Sequence, residues 1–444
     1  MFFRQVYDPK LAQYAYLIGC QATREAIVVD PLRDVDTYLD IAEREGLRLT
    51  AVAETHIHAD FLSGARELAE RANAVVYVSA EGGADWQSEW LKGSAYAHRL
   101  LRDGDHFMVG NIRFDVMHTP GHTPEHVCYT VTDTPANTTL PVGILTGDFV
   151  FVGDVGRPDL LESAAGQAGA METGARALFR SIERFRRLPA AMQLWPAHGA
   201  GSACGKALGA VPVSTVGYEL ATNLSIGAAT DPDSFVSYIL DGQPEPPLYF
   251  ARMKRDNRSG PAVLGKIPEP KALTATKLVE LQGATGVALI DTRPWDSYRR
   301  AHVPGSLFVP LTRSFNTVAG SYVPEGMAVY LIMDEKRVRE ATVDLTRPRP
   351  RSTSTRARES RRRSRRSTRR GSKHPSTRAR SSSTCAARPS SPSAGASRDR
   401  TTSRTSACSN AWPRYRKTGR SSSIAKAARA RPTRPASWIA WATR

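Results

Sequence analysis

The sequence predicts an α/β layered sandwich with a metal-binding edge, and three observations predict it. Apolar runs of strand length alternate with stretches of helical spacing. Several of those runs stop at Gly, Pro, His or Asp. Residues 55–61 read Thr-His-Ile-His-Ala-Asp-Phe, so that His56, His58 and Asp60 put three metal-binding side chains within five residues.

Residues 14–18 and 26–30 are apolar and read as two buried strands joined by a polar turn. Residues 34–45 have helical spacing, with Leu39, Ile41 and Ala42 on one face, and 47–54 form a short strand ending at the His/Asp cluster. A helix starts near Ser63 and a strand covers 75–78. Residues 107–109 and 112–116 flank a Gly-Asn turn, a hairpin signal. His118-Thr-Pro-Gly-His122-Thr-Pro-Glu-His126 is a loop, 127–131 a strand, and 143–146 a strand that stops at Gly147-Asp148. Residues 175–188 form a basic amphipathic helix, and 193–195 a short strand running into Pro196-Ala-His198. Residues 232–270, rich in Pro, Asn and Gly, read as an extension and linker. Residues 287–291 form a further buried strand.

The 444 residues suggest two or three domains. The formal charge of +18 misleads: residues 346–444 carry 28 Lys+Arg against 2 Asp+Glu, leaving 1–345 with a net of −8. The folded part therefore has no general basic surface. Five scattered cysteines (Cys20, Cys128, Cys204, Cys385 and Cys408) do not make a disulfide scaffold. The first residues lack a charged segment followed by a long apolar one, and no apolar run approaches the ~20 residues of a membrane helix. The expectation is a soluble, reduced, cytoplasmic protein without a membrane partner.

Four separate segments offer ligands at loops after apolar strands: His56/His58/Asp60, His122, Asp148 and His198. Flanking Gly and Pro residues let backbone approach a metal closely. The order Thr55-His-Ile-His-Ala-Asp60, Thr119-Pro-Gly-His-Thr123, Thr146-Gly-Asp148, Pro196-Ala-His198 resembles the metallo-β-lactamase superfamily, which includes glyoxalase II and the persulfide dioxygenases. The resemblance covers about residues 5–260 and implies an αββα sandwich. In its two-zinc members the residue after the aspartate is a histidine ligand, and here it is Phe61. A site with two histidines, one carboxylate and open positions suits a single non-haem Fe(II).

Spacing alone does not choose which residues form that triad. Resemblance to the persulfide dioxygenases assigns it to His56, His122 and Asp148, holding one Fe(II) per subunit. It places His58, Asp60 and His198 around them as catalytic residues that orient the ligands. Tyr16-Leu-Ile-Gly-Cys-Gln-Ala-Thr, Gly153-Asp-Val-Gly-Arg-Pro-Asp159 and His198-Gly-Ala-Gly-Ser-Ala-Cys-Gly-Lys206 are similar to bacterial persulfide dioxygenases fused to rhodanese modules. The implied reaction turns a low-molecular-weight thiol persulfide, O2 and water into sulfite and thiol. Glutathione is the first candidate carrier, and a homo-oligomer is compatible with the family. Arg157 is a candidate for binding a substrate carboxylate or for bracing Asp159. Cys204 is a candidate sulfur-handling thiol, with Lys206 near enough in sequence to lower its pKa, or else a small loop residue. His118 and His126 are assigned to packing or ligand orientation, and His98, His106 and Cys128 to structure.

Leu289-Ile-Asp-Thr-Arg-Pro-Trp-Asp-Ser-Tyr298 and Ala301-His-Val-Pro-Gly-Ser-Leu-Phe-Val-Pro310 resemble a rhodanese domain over about 272–345. In that family Asp291 and Arg293 brace the start of the fold. A working rhodanese carries a cysteine in the loop after the next buried strand, but here 328–332 is followed by Met333-Asp-Glu. The module is expected to be sulfur-inactive. The expected domains are therefore 1–260, a metallo-β-lactamase-fold dioxygenase; 261–345, a linker and truncated rhodanese-like α/β domain; and 346–444, a disordered basic tail. The Arg/Ser-rich tail interrupts the module in mid-fold and has no periodicity. Of three explanations (nucleic-acid binding, surface association, or out-of-frame translation of a GC-rich gene) the third is favoured, and no specific nucleic-acid partner is expected. Translating the other frames tests it: one of them should restore rhodanese-like strands and a Cys-bearing loop.

Overall fold

The computed structural model describes residues 1–346, apart from 137–138, 164–165, 167–168 and 266–268, together with the backbone of 438–441. The described residues belong to one compact unit. The expected disorder and frame of the tail otherwise lie outside the described residues.

The first sheet has six strands in the order β1(Phe2–Asp8), β2(Gln13–Cys20), β3(Glu25–Val29), β4(Arg48–Ala53), β5(Val75–Ser79) and β6(His98–Leu101). The β1–β2–β3 pairings are antiparallel and the β3–β4–β5–β6 pairings parallel. The second sheet contains β7(His106–Val109), β8(Ile112–His118), β9(Val127–Asp133), β10(Gly143–Gly147), β11(Gln193–Pro196) and β12(Ser214–Thr215), again in neighbour order.

Side-chain alternation along the strands builds the layers. On β2, Tyr14, Tyr16 and Ile18 join Phe107, Phe114, Tyr129 and Trp195 in the core between the sheets. Their neighbours Ala15 and Leu17 face the other way, under α1(Asp36–Arg44) and α2(Ala65–Ala72). On the second sheet Val127, Tyr129 and Val131 point inward. Ile144 and Leu194 point outward, under α4(Ala170–Phe185). The order is helix, sheet, sheet, helix: the expected αββα sandwich. The short α3(Leu160–Ser163) precedes α4.

The stretch 232–270 departs from the expected linker. After α5(Val216–Thr222) and α6(Leu224–Ala228) come α7(Pro232–Leu240) and α8(Phe250–Ser259). Proline at the start of α7 is compatible with a helix because its missing N–H has no partner there anyway. The Asp231 side chain accepts the Ser234 N–H as the cap. Phe235 and Ile239 then bury against the second helical layer.

The rhodanese-like segment contains β13(Lys271–Leu273), α9(Ala275–Leu281), β14(Val287–Asp291), α10(Trp295–Arg300), β15(Leu307–Phe308), α11(Phe315–Tyr322), β16(Ala328–Ile332) and α12(Val338–Thr346). Arg293 forks onto Asp291, with Nε at 2.9 Å from Oδ1 and Nη2 at 2.6 Å from Oδ2. This is the expected brace. One part of the tail departs from expectation: the backbone of β17(Trp438–Trp441) pairs antiparallel with both β13 and β16. An apolar tetrapeptide here covers a strand edge that would otherwise be unpaired. No helix among the described residues is long and apolar enough to cross a membrane.

Candidate metal centre

Four strands deliver the candidate ligands to one edge of the sandwich. The chain leaves β4 into His56, β8 into the His122 loop, β10 into Asp148 and β11 into His198. Ligand atoms of His56, His122 and Asp148 lie within 4.8 Å of one another, and all three residues are buried. Gly147 makes the approach feasible. Its φ is +50°, and a Cβ there would stand 2.6 Å from both His126 Nε2 and Thr55 Oγ1.

Hydrogen bonds fix each ring. His56 Nδ1 lies 2.9 Å from Thr55 Oγ1, whose hydroxyl donates to Asp30 Oδ2 at 2.8 Å. Nδ1–H is therefore the donor, and Nε2 is left for a metal. His122 Nδ1 donates to the Arg157 carbonyl at 3.3 Å, and its Nε2 stands 3.5 Å from Asp148 Oδ2. Burial, reinforced by neighbouring imidazoles, holds both histidines well below their ordinary pKa. They are neutral, the form that ligates. Asp148 is pushed up to about 6 by burial, with Asp60 adding to it. Both its carboxylate oxygens are buried without a hydrogen-bond partner. A buried carboxylate without a hydrogen-bond partner beside two neutral imidazoles fits a divalent cation, because His198 at 3.4 Å offsets its desolvation only in part.

The surrounding residues divide into two groups. His58 Nε2 is held between Glu54 Oε2 at 2.9 Å and Asp30 Oδ1 at 3.2 Å, while its Nδ1 has no partner. Asp60, His198 and Cys204 form a second trio of ligand atoms within 4.8 Å. His198 Nε2 lies 3.2 Å from Asp60 Oδ2 and 3.4 Å from Asp148 Oδ1. Burial alone would lower the His198 pKa, but Asp148 and Asp60 reverse this and raise it to about 9. Phe61 is 3% exposed and stacks on His58 at 4.3 Å between ring centroids. An apolar ring therefore fills the position next to Asp60.

Cys204 and Arg157 each carry two readings, and the contacts bear on the choice. Cys204 is not activated by a cation: Lys206 points to the carbonyls of Tyr238 and Asp241. Burial, with Asp148 and Asp60 adding to it, instead raises the thiol pKa well above its ordinary value. Arg157 does not present a free guanidinium. It is 1% exposed and bonds Asp159 through Nε at 3.1 Å and Nη2 at 2.6 Å, Ala203 O through Nη1 at 3.0 Å, and the Pro244 carbonyl. It braces the ligand loop, and its own carbonyl orients His122. Arg157→Ala is expected to cost about 2–3 kcal/mol of stability, since it leaves buried acceptors unpaired. A denaturant midpoint that does not move would contradict this.

Some site residues escaped sequence reasoning. Asp30 accepts the Thr55 N–H at 2.7 Å as well as its hydroxyl. Asn257 on α8 donates to the carbonyls of His58 and Phe61 at 2.8 and 2.7 Å, tying the metal loop from beneath. His126 Nε2 accepts the Asp148 N–H at 3.1 Å, which is ligand orientation rather than packing. His118 Nε2 instead donates to the Pro124 carbonyl at 2.8 Å and so braces its own loop. A buried acid ending an apolar strand was the signal available for Asp30.

Residues 8–198 match the metallo-beta-lactamase superfamily, and residues 274–342 match the rhodanese-like domain. A crystal structure of a metallo-beta-lactamase from Staphylococcus aureus is 39% identical, with a TM-score of 0.69 over 78% of this chain and 95% of that one. This chain belongs to the metallo-β-lactamase superfamily. Its metallo-β-lactamase domain is followed by a rhodanese-like one. Among curated relatives, the mitochondrial persulfide dioxygenase ETHE1 of Bos taurus is 30% identical over 203 residues, 45% of this chain and 68% of the relative. A probable metallo-hydrolase of Burkholderia pseudomallei is 29% identical over 290 residues, 60% of this chain and 93% of the relative.

Proposed function

We propose that the chain is a non-haem iron persulfide dioxygenase, with glutathione persulfide as its first candidate substrate. The balanced reaction is RSSH + O2 + H2O → RSH + HSO3⁻ + H⁺. The S–S bond breaks, the outer sulfur gives up four electrons, and O2 accepts four.

The observation that carries this reading is the ligand set. Two neutral imidazoles and one orphaned carboxylate converge, while Phe61 occupies the position next to Asp60. His56, His122 and Asp148 would hold the Fe(II). The metal, when bound, supplies the one-electron steps that O2 chemistry requires. Thr55 and Asp30 fix the His56 ring, the Arg157 carbonyl fixes His122, and His126 fixes the backbone of Asp148. His58, held by Glu54 and Asp30, and His198, between Asp60 and Asp148, orient polar groups around the reacting sulfur. The ETHE1 relative supports the assignment.

One observation favours a second reading, a glyoxalase II-like zinc thioester hydrolase. Asp60, His198 and Cys204 are clustered closely enough to take a second metal, and a metallo-hydrolase is among the relatives. Two metals and a metal-activated water would suit hydrolysis. Oxygen-electrode assays with glutathione persulfide, beside hydrolysis assays with S-lactoylglutathione, separate the two. The dioxygenase reading expects O2 uptake and no thioester cleavage, and the reverse result would refute it.

A further inference from the structure

The rhodanese-like segment has no cysteine where that family carries sulfur, yet it packs closely on the first domain. Arg313, just before α11, donates to the Pro9 carbonyl and through Nη2 to the Tyr7 hydroxyl at 3.3 Å. Arg255 on α8 meets Glu325 at 2.7 Å. Residues of both domains line a cleft of about 420 Å³, within the range of small-molecule sites. One wall comes from the metallo-β-lactamase domain and includes Asp60, Ala203 and Tyr249. The other comes from the second module and includes Arg313 and Thr317. Asp60 thus faces both this cleft and the metal centre's surroundings, since its Oδ2 is 3.2 Å from His198 Nε2.

Charge along this cleft is uneven. Lys10 also lines it, but its ammonium is paired with Asp344 and Glu340. Arg313 is exposed, and its bonding partners are an uncharged carbonyl and a hydroxyl. Among the described residues no carboxylate stands within ion-pair distance of it. Gly201 lines the cleft beside it, and its φ of +100° is a conformation that favours glycine.

We propose that the rhodanese-like module completes the substrate site of the first domain, with Arg313 receiving the anionic end of the thiol that carries the persulfide. A planar guanidinium is suited to a carboxylate or a phosphate. The module thereby acts as a specificity wall rather than as a sulfur carrier. This rests on the persulfide dioxygenase reading for the identity of the reacting group.

The test uses the full iron-loaded chain and three persulfides. Glutathione persulfide carries carboxylates, coenzyme A persulfide carries phosphates, and cysteamine persulfide carries no anion. Arg313→Glu is expected to raise KM about tenfold for whichever anionic substrate the site takes, with a smaller change in kcat and no change in KM for cysteamine persulfide. Arg313→Lys should recover most of the loss. Arg299→Ala, an exposed arginine on α10 away from the cleft, should change nothing. Calorimetric binding of S-methylglutathione and S-methyl-coenzyme A supplies a readout independent of turnover, and Arg313→Glu should weaken one of them about tenfold. If no persulfide supports O2 uptake by the unmodified chain, the functional reading fails and the binding arm alone decides the role of Arg313. An unchanged affinity, or equal losses for anionic and anion-free ligands, overturns the proposal.

Discussion

Asp148→Ala is expected to abolish stoichiometric metal binding and lower O2 uptake by at least about a hundredfold. The two Asp148 carboxylate oxygens are buried without a hydrogen-bond partner, with His122 Nε2 and His198 Nε2 at 3.5 and 3.4 Å. Burial pushes the Asp148 pKa up to about 6, so His198 compensates its charge only in part. Removing the carboxylate therefore affects the two forms differently. The metal-free protein should change little in stability, because a poorly compensated buried charge disappears while His198 keeps Asp60 at 3.2 Å. The stabilisation that Fe(II) gives the unmodified protein, which scales with the logarithm of metal over Kd, should vanish. Thermal melts with and without Fe(II) read both effects. A variant that melts lower without metal, yet still gains stability from iron, would show that Asp148 is structural.

Phe61→His is the second substitution with a large expected effect, and it acts by gain. The Phe61 ring stacks on His58 at 4.3 Å, beside a trio already within 4.8 Å: Asp60, His198 and Cys204. Asp60 Oδ2 and His198 Nε2 face each other at 3.2 Å. An imidazole in place of the phenyl ring would add a neutral nitrogen ligand where one is missing. The variant is expected to bind two zinc ions per chain where the parent binds one metal, and to lose most O2 uptake as open coordination space is filled. Metal analysis after zinc dialysis checks it. Unchanged stoichiometry would mean that Phe61 is a packing residue and does not govern the metal count.

Much of the site was legible because its residues stand at strand ends. An apolar run that stops at Gly147-Asp148, or at Pro196-Ala-His198, needs only a sheet to bring its terminus to the common edge. The residue at position 61 was legible for a related reason, since its neighbours identify its place. What stayed hidden depended on contacts far apart in the chain. Asp30 matters because β3 lies parallel to β4, which brings its carboxylate to Thr55 and His58. Asn257 sits in a stretch whose Pro and Asn content obscured two helices, and it reaches the metal loop across nearly two hundred residues. The surroundings of Cys204 were hidden because Lys206 is close in sequence but turns away, while burial and carboxylates from other loops set its pKa. The pairing of β17 with β13 and β16 had no sequence signal beyond one short apolar run.

One metal and oxygen chemistry separate the proposed dioxygenase from a two-metal hydrolase on the same fold. The most direct measurement is metal content together with O2 consumption on the same purified chain, supplied with glutathione persulfide. The expected result is one iron per chain, with O2 consumed and sulfite formed in equal amounts. Two tightly bound zinc ions per chain, with S-lactoylglutathione hydrolysed and no O2 consumed, would contradict it and assign the trio of Asp60, His198 and Cys204 to a second metal.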